Sequence, residues 1–147
     1  METTGRTWVM RRGVKVDRMA CAWLIRRFLD PDARWKFVDA KGYAPEPGEI
    51  RYDVYEAEYT HEGEDCSFEV LIRRFGLAVP GLRALAEIVH DIDLKDGRHG
   101  RPETAGLAAL VEAIVATQPD DEARIFRLSS TLDDLLSLFA VREGCRC

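Results

Sequence analysis

Hydrophobic and polar positions divide this chain into a strand-rich first part and a helical second part. Residues 7–12 (TWVMRR) and 34–38 (RWKFV) are short apolar-rich runs that predict strands, and alternation over residues 51–63 predicts a third strand. Between the first two runs, RMACAWLIRRFL (18–29) repeats apolar side chains at helical spacing. Asp17 stands where the N-cap of this helix is expected. The first part therefore predicts a small sheet with one inserted helix.

Helical periodicity dominates the chain after residue 66. Gly76 ends the first of these helical segments, and Pro102 marks the start of a later one. Thr131 and Asp134 match a capping box, which predicts that a separate last helix begins there. The predicted helical segments are 67–75, 81–96, 102–115, 118–128 and 135–140.

Together these elements predict an α+β fold. It consists of a small N-terminal mixed or antiparallel sheet with one inserted helix, followed by a mainly helical C-terminal half. A length of 147 residues suits one domain, which we assign to residues 1–147. Within this domain, residues 8–65 are the strand-rich part with the first helix, and residues 66–141 are the helical part.

Composition and charge exclude several classes of protein. The chain is 46% hydrophobic and 32% charged, as globular domains are. It contains no apolar run near the ~20 residues of a membrane span, and its N-terminus lacks the apolar core of a signal peptide. We therefore expect a cytoplasmic protein without a membrane partner. Because the net charge is −5, direct binding to nucleic acid is not expected.

Positive charge is concentrated near the N-terminus, where residues 1–36 hold nine Lys and Arg against four Asp and Glu. Small tetrahedral anions favour helix N-termini that are flanked by arginine side chains. The first predicted helix therefore offers a candidate anion site, with these basic residues: Lys15, Arg18, Arg26 and Arg27. The alternative is that they pair with acids of the helical half or form a solvated basic face.

The segment AEIVHDIDLKDGRHGRPE (86–103) places His90, Asp93 and Asp96 about one helical turn apart. Carboxylates near a helix C-terminus oppose the helix macrodipole, and a bound cation would offset that cost. A salt-bridged turn with neighbouring basic residues is the alternative. His61 ends an aromatic face of the third predicted strand. The candidate ligands of a divalent Zn, Fe or Mn ion are thus His61, His90 and Asp93.

Four residues in the same segments are candidate catalytic groups: Glu58, Glu69, Asp96 and Cys66. The three carboxylates would orient metal ligands or act as a general base. Cys66 would act as a reductant or a soft ligand if a neighbour lowered the pKa of its thiol. His99 lies in a glycine-flanked loop and is expected to be exposed to solvent.

Three long segments together resemble the C-terminal domain of the chromate-resistance protein ChrB family. They are VDRMACAWLIRRFLDPDARWKFV, EYTHEGEDCSFEVLI and LAEIVHDIDLKDGRHGRPETAGL, and they occur in the order of the family. The resemblance implies a domain of bacterial chromate-resistance operons that senses or handles chromate. It also implies that longer relatives carry an N-terminal regulatory domain ahead of this one. Because the matching motifs begin near residue 8, we do not expect a DNA-binding repressor here.

Two functions follow from these observations. The first is a cytoplasmic chromate-resistance domain that binds a divalent metal, a chromate-like oxyanion, or both, in sensing or detoxification. The second is a metal-dependent enzyme, hydrolytic or redox, with a His and carboxylate site. The expected partner is a small oxyanion such as chromate or sulfate, and a homodimer is compatible with both functions.

Overall fold

The computed structural model describes residues 5–39, 41, 43–44, 46–52 and 62–144 of the chain. These described residues form three strands, five α-helices and one π-helical turn. The strands are β1 (Thr7–Arg11), β2 (Arg34–Val38) and β3 (Ile50–Arg51). The helices are α1 (Val16–Leu24), α2 (Ser67–Arg74), α3 (Leu82–Leu94), α4 (Thr104–Thr117) and α5 (Asp121–Arg142), and the π-helical turn (Ile25–Leu29) continues α1.

The sheet has β1 as its central strand, with β2 on one side and β3 on the other. Both pairings are parallel, and Trp8 lies opposite Trp35 in β2 and opposite Ile50 in β3. These pairings differ from the mixed or antiparallel sheet that the sequence suggested. The reason is that α1 and the π-helical turn carry the chain back before β2 begins, which is the crossover that a parallel pair requires. Most of the predicted third strand, residues 53–61, lies outside the described residues.

The predicted α+β division is confirmed, since the strands precede a C-terminal half that is mainly helical. One predicted boundary is wrong. α5 is a continuous helix of 22 residues, so no separate helix begins at Thr131. A buried apolar stripe runs without interruption through that point and holds the helix together by packing. The stripe consists of Leu128, Leu132, Leu136 and Phe139.

The predicted N-cap of the first helix is also wrong. α1 begins at Val16, so Asp17 lies inside its first turn and is only 3% exposed. The Asp17 carboxylate accepts hydrogen bonds from the backbone N–H groups of Ser67, at 3.1 Å, and Phe68, at 3.0 Å. Asp17 therefore caps the N-terminus of α2 rather than that of its own helix.

Helix α1 lies at the centre of the helical layer and packs against α2, α3 and α5. Nearly all of its side chains are buried, as expected for a helix that is apolar around most of its circumference. Trp23 stacks on Phe68 of α2 with ring centroids 6.3 Å apart, and its Nε1–H donates to Asp133 of α5 at 2.8 Å. α1 thus fixes the relative positions of the helices that carry the polar sites.

Asp30 is fully buried at the end of the π-helical turn. Its carboxylate accepts hydrogen bonds from the backbone N–H groups of Gly5, Arg6 and Asp32 and from the indole Nε1–H of Trp8. Burial on its own would raise the pKa of Asp30, but these hydrogen bonds outweigh it and hold the pKa below its ordinary value. Asp30 therefore ties the start of β1 to the end of the helical crossover.

We expect Asp30 to make the protein sensitive to acid. Because its pKa is lower in the folded state, the unfolded state binds more protons between the two pKa values. The contribution of Asp30 is complete above its unfolded pKa, about 4, and is lost as the pH falls through the folded value. In urea unfolding from pH 6 to pH 2, the free energy of unfolding should fall less steeply with decreasing pH for Asp30→Asn than for the wild type. The exposed Asp134→Asn should follow the wild type. Equal acid slopes for Asp30→Asn and the wild type would contradict this role.

Candidate functional site

His90, near the C-terminal end of α3, is the centre of a buried polar cluster. Its side chain is fully buried, and a carboxylate lies against each nitrogen of the ring. Nδ1 is 2.6 Å from Oε1 of Glu69, and Nε2 is 2.8 Å from Oδ2 of Asp96. The structure therefore brings together three residues that the sequence singled out, although two of them were expected as catalytic groups.

Glu69 reaches His90 because the N-terminus of α2 is held in place. Cys66 is the N-cap of α2, and its backbone N–H donates to Oε1 of Glu69 at 3.0 Å. Asp17 accepts from the next two backbone N–H groups. These contacts satisfy the orphan donors of the first turn and fix the Glu69 side chain toward α3.

Asp96 reaches His90 because α3 ends in a left-handed residue. Lys95 has a φ of 56°, the only positive value for a non-glycine residue among those described. This conformation reverses the chain direction just after the helix, so Asp96 folds back over His90, six residues earlier. Asp96 also accepts from the backbone N–H of Arg98 at 3.1 Å. The turn therefore holds the second carboxylate in position.

His99 joins the cluster from the loop that follows α3. Its ring lies edge-on to that of His90, with centroids 5.1 Å apart. The buried carboxylate of Asp91 fixes this loop by accepting hydrogen bonds from the backbone N–H groups of His99 and Gly100. His99 is 23% exposed, so the expectation of a solvent-exposed residue is wrong. No pattern in the sequence indicated the hydrogen bonds to Asp91 that hold this loop against α3.

The two carboxylates beside His90 change the pKa of its ring. Burial on its own would lower the pKa of His90, but the hydrogen bonds and charges of Glu69 and Asp96 outweigh it and raise the pKa. The hydrogen bond with His90 in turn holds the pKa of Asp96 below its ordinary range. The cluster therefore stabilises a positive charge at its centre.

Cys66 does not have the environment of a reactive thiol. Burial, together with the nearby charge of Asp17, raises the pKa of Cys66. A catalytic or redox-active cysteine needs the opposite shift, because the thiolate is the reactive form. Cys66 instead occupies the N-cap of α2, where it is fully buried.

Asp93, predicted as a metal ligand, is not part of the His90 cluster. It lines a different cavity, of about 500 Å³, between the C-terminal end of α3 and the junction of β1 and α1. His61 and Glu58, the remaining candidates from the third predicted strand, lie outside the described residues, and their roles stay predictions.

Half of the residues that line the cavity containing Asp93 are basic, and we call it the basic pocket. Its lining residues are Arg11, Arg12, Gly13, Lys15, Asp17, Arg18, Asp93 and Leu94. The turn between β1 and α1 is fixed from the far end of the chain. Asp121 at the start of α5 accepts from the backbone N–H groups of Gly13, at 3.2 Å, and Val14, at 2.9 Å. Arg124 donates to the carbonyl of Val14 at 3.1 Å.

The structure brings together two of the four residues of the predicted anion cluster. Lys15 and Arg18 line the basic pocket, whereas Arg26 and Arg27 do not. Arg26 donates to the carbonyl of Ala33 and covers the ring of Trp35. Arg27 donates to Asp133 at 2.6 Å. Two arginines that sequence reasoning missed, Arg11 and Arg12 at the end of β1, complete the pocket. They are the last two residues of the first predicted strand, and this pair of basic residues at a strand end was the available signal.

Comparison with known proteins relates the chain to one family. The family model described as ChrB, C-terminal domain, matches residues 8–139. Protein ChrB of Cupriavidus metallidurans is 36% identical over 137 residues, which cover 92% of this chain and 41% of that protein. The chain thus spans about two fifths of the length of this curated relative. No solved structure matches the chain. Among the described helices, none is long and apolar enough to cross a membrane.

Proposed function

Since this chain belongs to the family of ChrB C-terminal domains, we propose that it binds a tetrahedral oxyanion of the chromate and sulfate class in the basic pocket. The observation that carries the proposal is the convergence of four cationic side chains on one cavity, which are Arg11, Arg12, Lys15 and Arg18. Binding there would serve the sensing or the sequestration of chromate.

The charge of the basic pocket suits a dianion. Four basic side chains line the pocket with two carboxylates, those of Asp17 and Asp93, and Arg12 also forms an ion pair with the exposed Asp39 at 3.0 Å. The Asp17 carboxylate is buried and engaged by two backbone N–H groups of α2, so part of its charge is already neutralised. Arginine guanidinium groups form paired, charge-assisted hydrogen bonds with oxyanions, and these are stronger than neutral ones.

Two helix ends border the pocket. Lys15 is the N-cap residue of α1, which places the positive end of the α1 dipole at the cavity. Asp93 and Leu94 place the negative, C-terminal end of α3 there as well, so the basic side chains supply the positive charge for an anion. A bound anion would contact residues of β1, α1 and the end of α3, which links its occupancy to the relative position of these elements.

We expect sulfate and chromate to raise the melting temperature of the purified protein. A ligand at 100 times its Kd stabilises the folded state by about 2.7 kcal/mol, and each kcal/mol raises the melting temperature by about 2–4 °C for a chain of this size. Loss of a charge-assisted hydrogen bond costs about 1.5–3 kcal/mol, so Arg18→Gln should weaken binding about 10- to 100-fold in calorimetric titration. Asp93→Asn, which removes a negative charge from the pocket, should bind the anion more tightly.

The matched control for Arg18 is Arg27→Gln, since Arg27 lies on the same helical segment but faces Asp133 instead of the pocket. Sodium chloride at equal ionic strength separates specific binding from screening. The proposal fails if chloride stabilises the protein as much as sulfate does, or if Arg27→Gln loses as much affinity as Arg18→Gln.

A further inference from the structure

We propose that Glu69, His90 and His99 form a binding site for one divalent transition-metal ion of the zinc, iron or manganese class. This site is separate from the basic pocket and does not depend on anion binding. It shares only His90 with the ligand set that the sequence predicted, since Asp93 faces the other cavity and His61 lies outside the described residues.

The distances among the three side chains suit one small ion. One ring nitrogen of each histidine and one carboxylate oxygen of Glu69 all lie within 4.8 Å of one another. On a tetrahedral ion with bonds of about 2.0–2.1 Å, two ligand atoms are about 3.3 Å apart. The Glu69 oxygen and Nδ1 of His90, now at 2.6 Å, would have to separate by only about 0.7 Å to admit an ion.

The environment of His99 is the observation that hydrogen bonding within the His90 cluster does not explain. Its Nε2 atom is buried and has no hydrogen-bond partner in the part of the chain that the structure describes. Nδ1 of the same ring is 3.7 Å from Oε2 of Glu87. A buried nitrogen without a partner costs about 1–3 kcal/mol, and coordination to a metal ion would remove that cost.

Hydrogen bonds from neighbouring groups orient the three candidate ligands, as is usual for metal ligands in proteins. Histidine ligands commonly direct their second ring nitrogen at a carboxylate, which fixes the ring and its tautomer. Asp96 occupies this position, 2.8 Å from Nε2 of His90, and leaves Nδ1 to face Glu69. The Cys66 N–H holds Glu69, and Asp91 holds the His99 backbone.

A second group of three, His90, Asp91 and Asp96, also lies within 4.8 Å. Asp91 accepts from two backbone N–H groups and Asp96 from that of Arg98, but Glu69 likewise accepts from that of Cys66, so these hydrogen bonds do not separate the two groups. The group with His99 is favoured because that ring brings the nitrogen that lacks a partner. Two histidines and one carboxylate also leave coordination positions open for water or substrate, as a metal-dependent enzyme requires.

The test is metal titration of the full chain after removal of metal with a chelator. Calorimetry with zinc chloride and manganese chloride should show one equivalent bound, and cobalt chloride should give the visible absorption of a protein-bound ion. Because His99 is partly exposed, His99→Gln should keep the fold, and we expect at least a 100-fold weaker affinity. Asp96→Asn, which alters the group that orients His90, should weaken binding about 10- to 100-fold.

The control is Asp134→Asn, which removes an exposed carboxylate of α5 that belongs to neither site and should bind metal as the wild type does. The proposal is overturned if the folded wild type binds less than a tenth of an equivalent of each ion. It is also overturned if His99→Gln binds metal with wild-type affinity. If Asp96→Asn then abolishes metal binding, the ion belongs to the group with Asp91. Sulfate titration of His99→Gln should match that of the wild type, because the two sites are independent.

Discussion

Asp17→Ala is expected to lower the free energy of unfolding by about 2–6 kcal/mol, because each of two buried backbone donors left without an acceptor costs about 1–3 kcal/mol. The donors are the N–H groups of Ser67 and Phe68 at the start of α2. Water cannot replace the carboxylate easily, since Asp17 is 3% exposed and both partners are buried. Urea denaturation followed by circular dichroism measures the change.

Asp17→Asn is the informative companion variant. Asparagine keeps the shape of the side chain and one acceptor oxygen. We therefore expect Asp17→Asn to lower the free energy of unfolding by less than Asp17→Ala does. Asp134→Ala, at an exposed position of α5, should change the free energy of unfolding by no more than about 0.5 kcal/mol. If Asp17→Ala were as stable as Asp134→Ala, the cap that Asp17 provides between α1 and α2 would have no energetic role.

Gly81→Ala should destabilise the protein by about 2–5 kcal/mol through a contact between two backbones. Gly81 precedes α3 with a φ of 86°, and a Cβ atom there would lie 2.6 Å from the carbonyl oxygen of Leu136 and 2.8 Å from the backbone nitrogen of Ala140. The left-handed conformation costs an alanine about 1–2 kcal/mol, and overpacking against the rigid α5 backbone adds about 1–3 kcal/mol.

Gly76→Ala separates these two contributions. Gly76 has a similar φ of 61°, but a Cβ atom there would meet nothing within 4 Å. The free energy of unfolding of Gly76→Ala should therefore fall only by the cost of the left-handed conformation, about 1–2 kcal/mol. Equal losses for the two alanine variants in urea denaturation would show that close approach of α3 and α5 is not what requires glycine at position 81.

The sequence predicted most elements of the fold because local periodicity determines them. β2 was predicted over 34–38 as observed, and α2 and α3 lie within their predicted ranges. The errors occur where a distant partner decides the outcome. Asp17 resembles an N-cap, but its acceptors face α2, fifty residues later. A local capping pattern at Thr131 is overridden by the apolar stripe that packs α5 against its neighbours.

The candidate sites were predictable by residue type but not by grouping. Glu69, His90 and Asp96 were each recognised as residues that could support metal chemistry. The contact of Asp96 with His90, however, depends on the left-handed conformation of Lys95, and that of Glu69 depends on the hydrogen bonds at the start of α2. Asp93 was predicted as a partner of His90 because the two are three residues apart on one helix. That spacing brings the side chains near each other but does not direct them into the same cavity. Arg27 likewise finds its partner, Asp133, 106 residues away.

The contacts of Asp121 and Arg124 with the turn between β1 and α1 determine when the basic pocket can form during synthesis. The turn carries the earliest residues of the pocket, but its partners in α5 follow 107 to 110 residues later. A growing chain therefore exposes Arg11, Arg12 and Lys15 long before it contains the groups that hold them in place. Nearly the whole domain must leave the ribosome before its N-terminal strand and the turn that follows acquire their final shape.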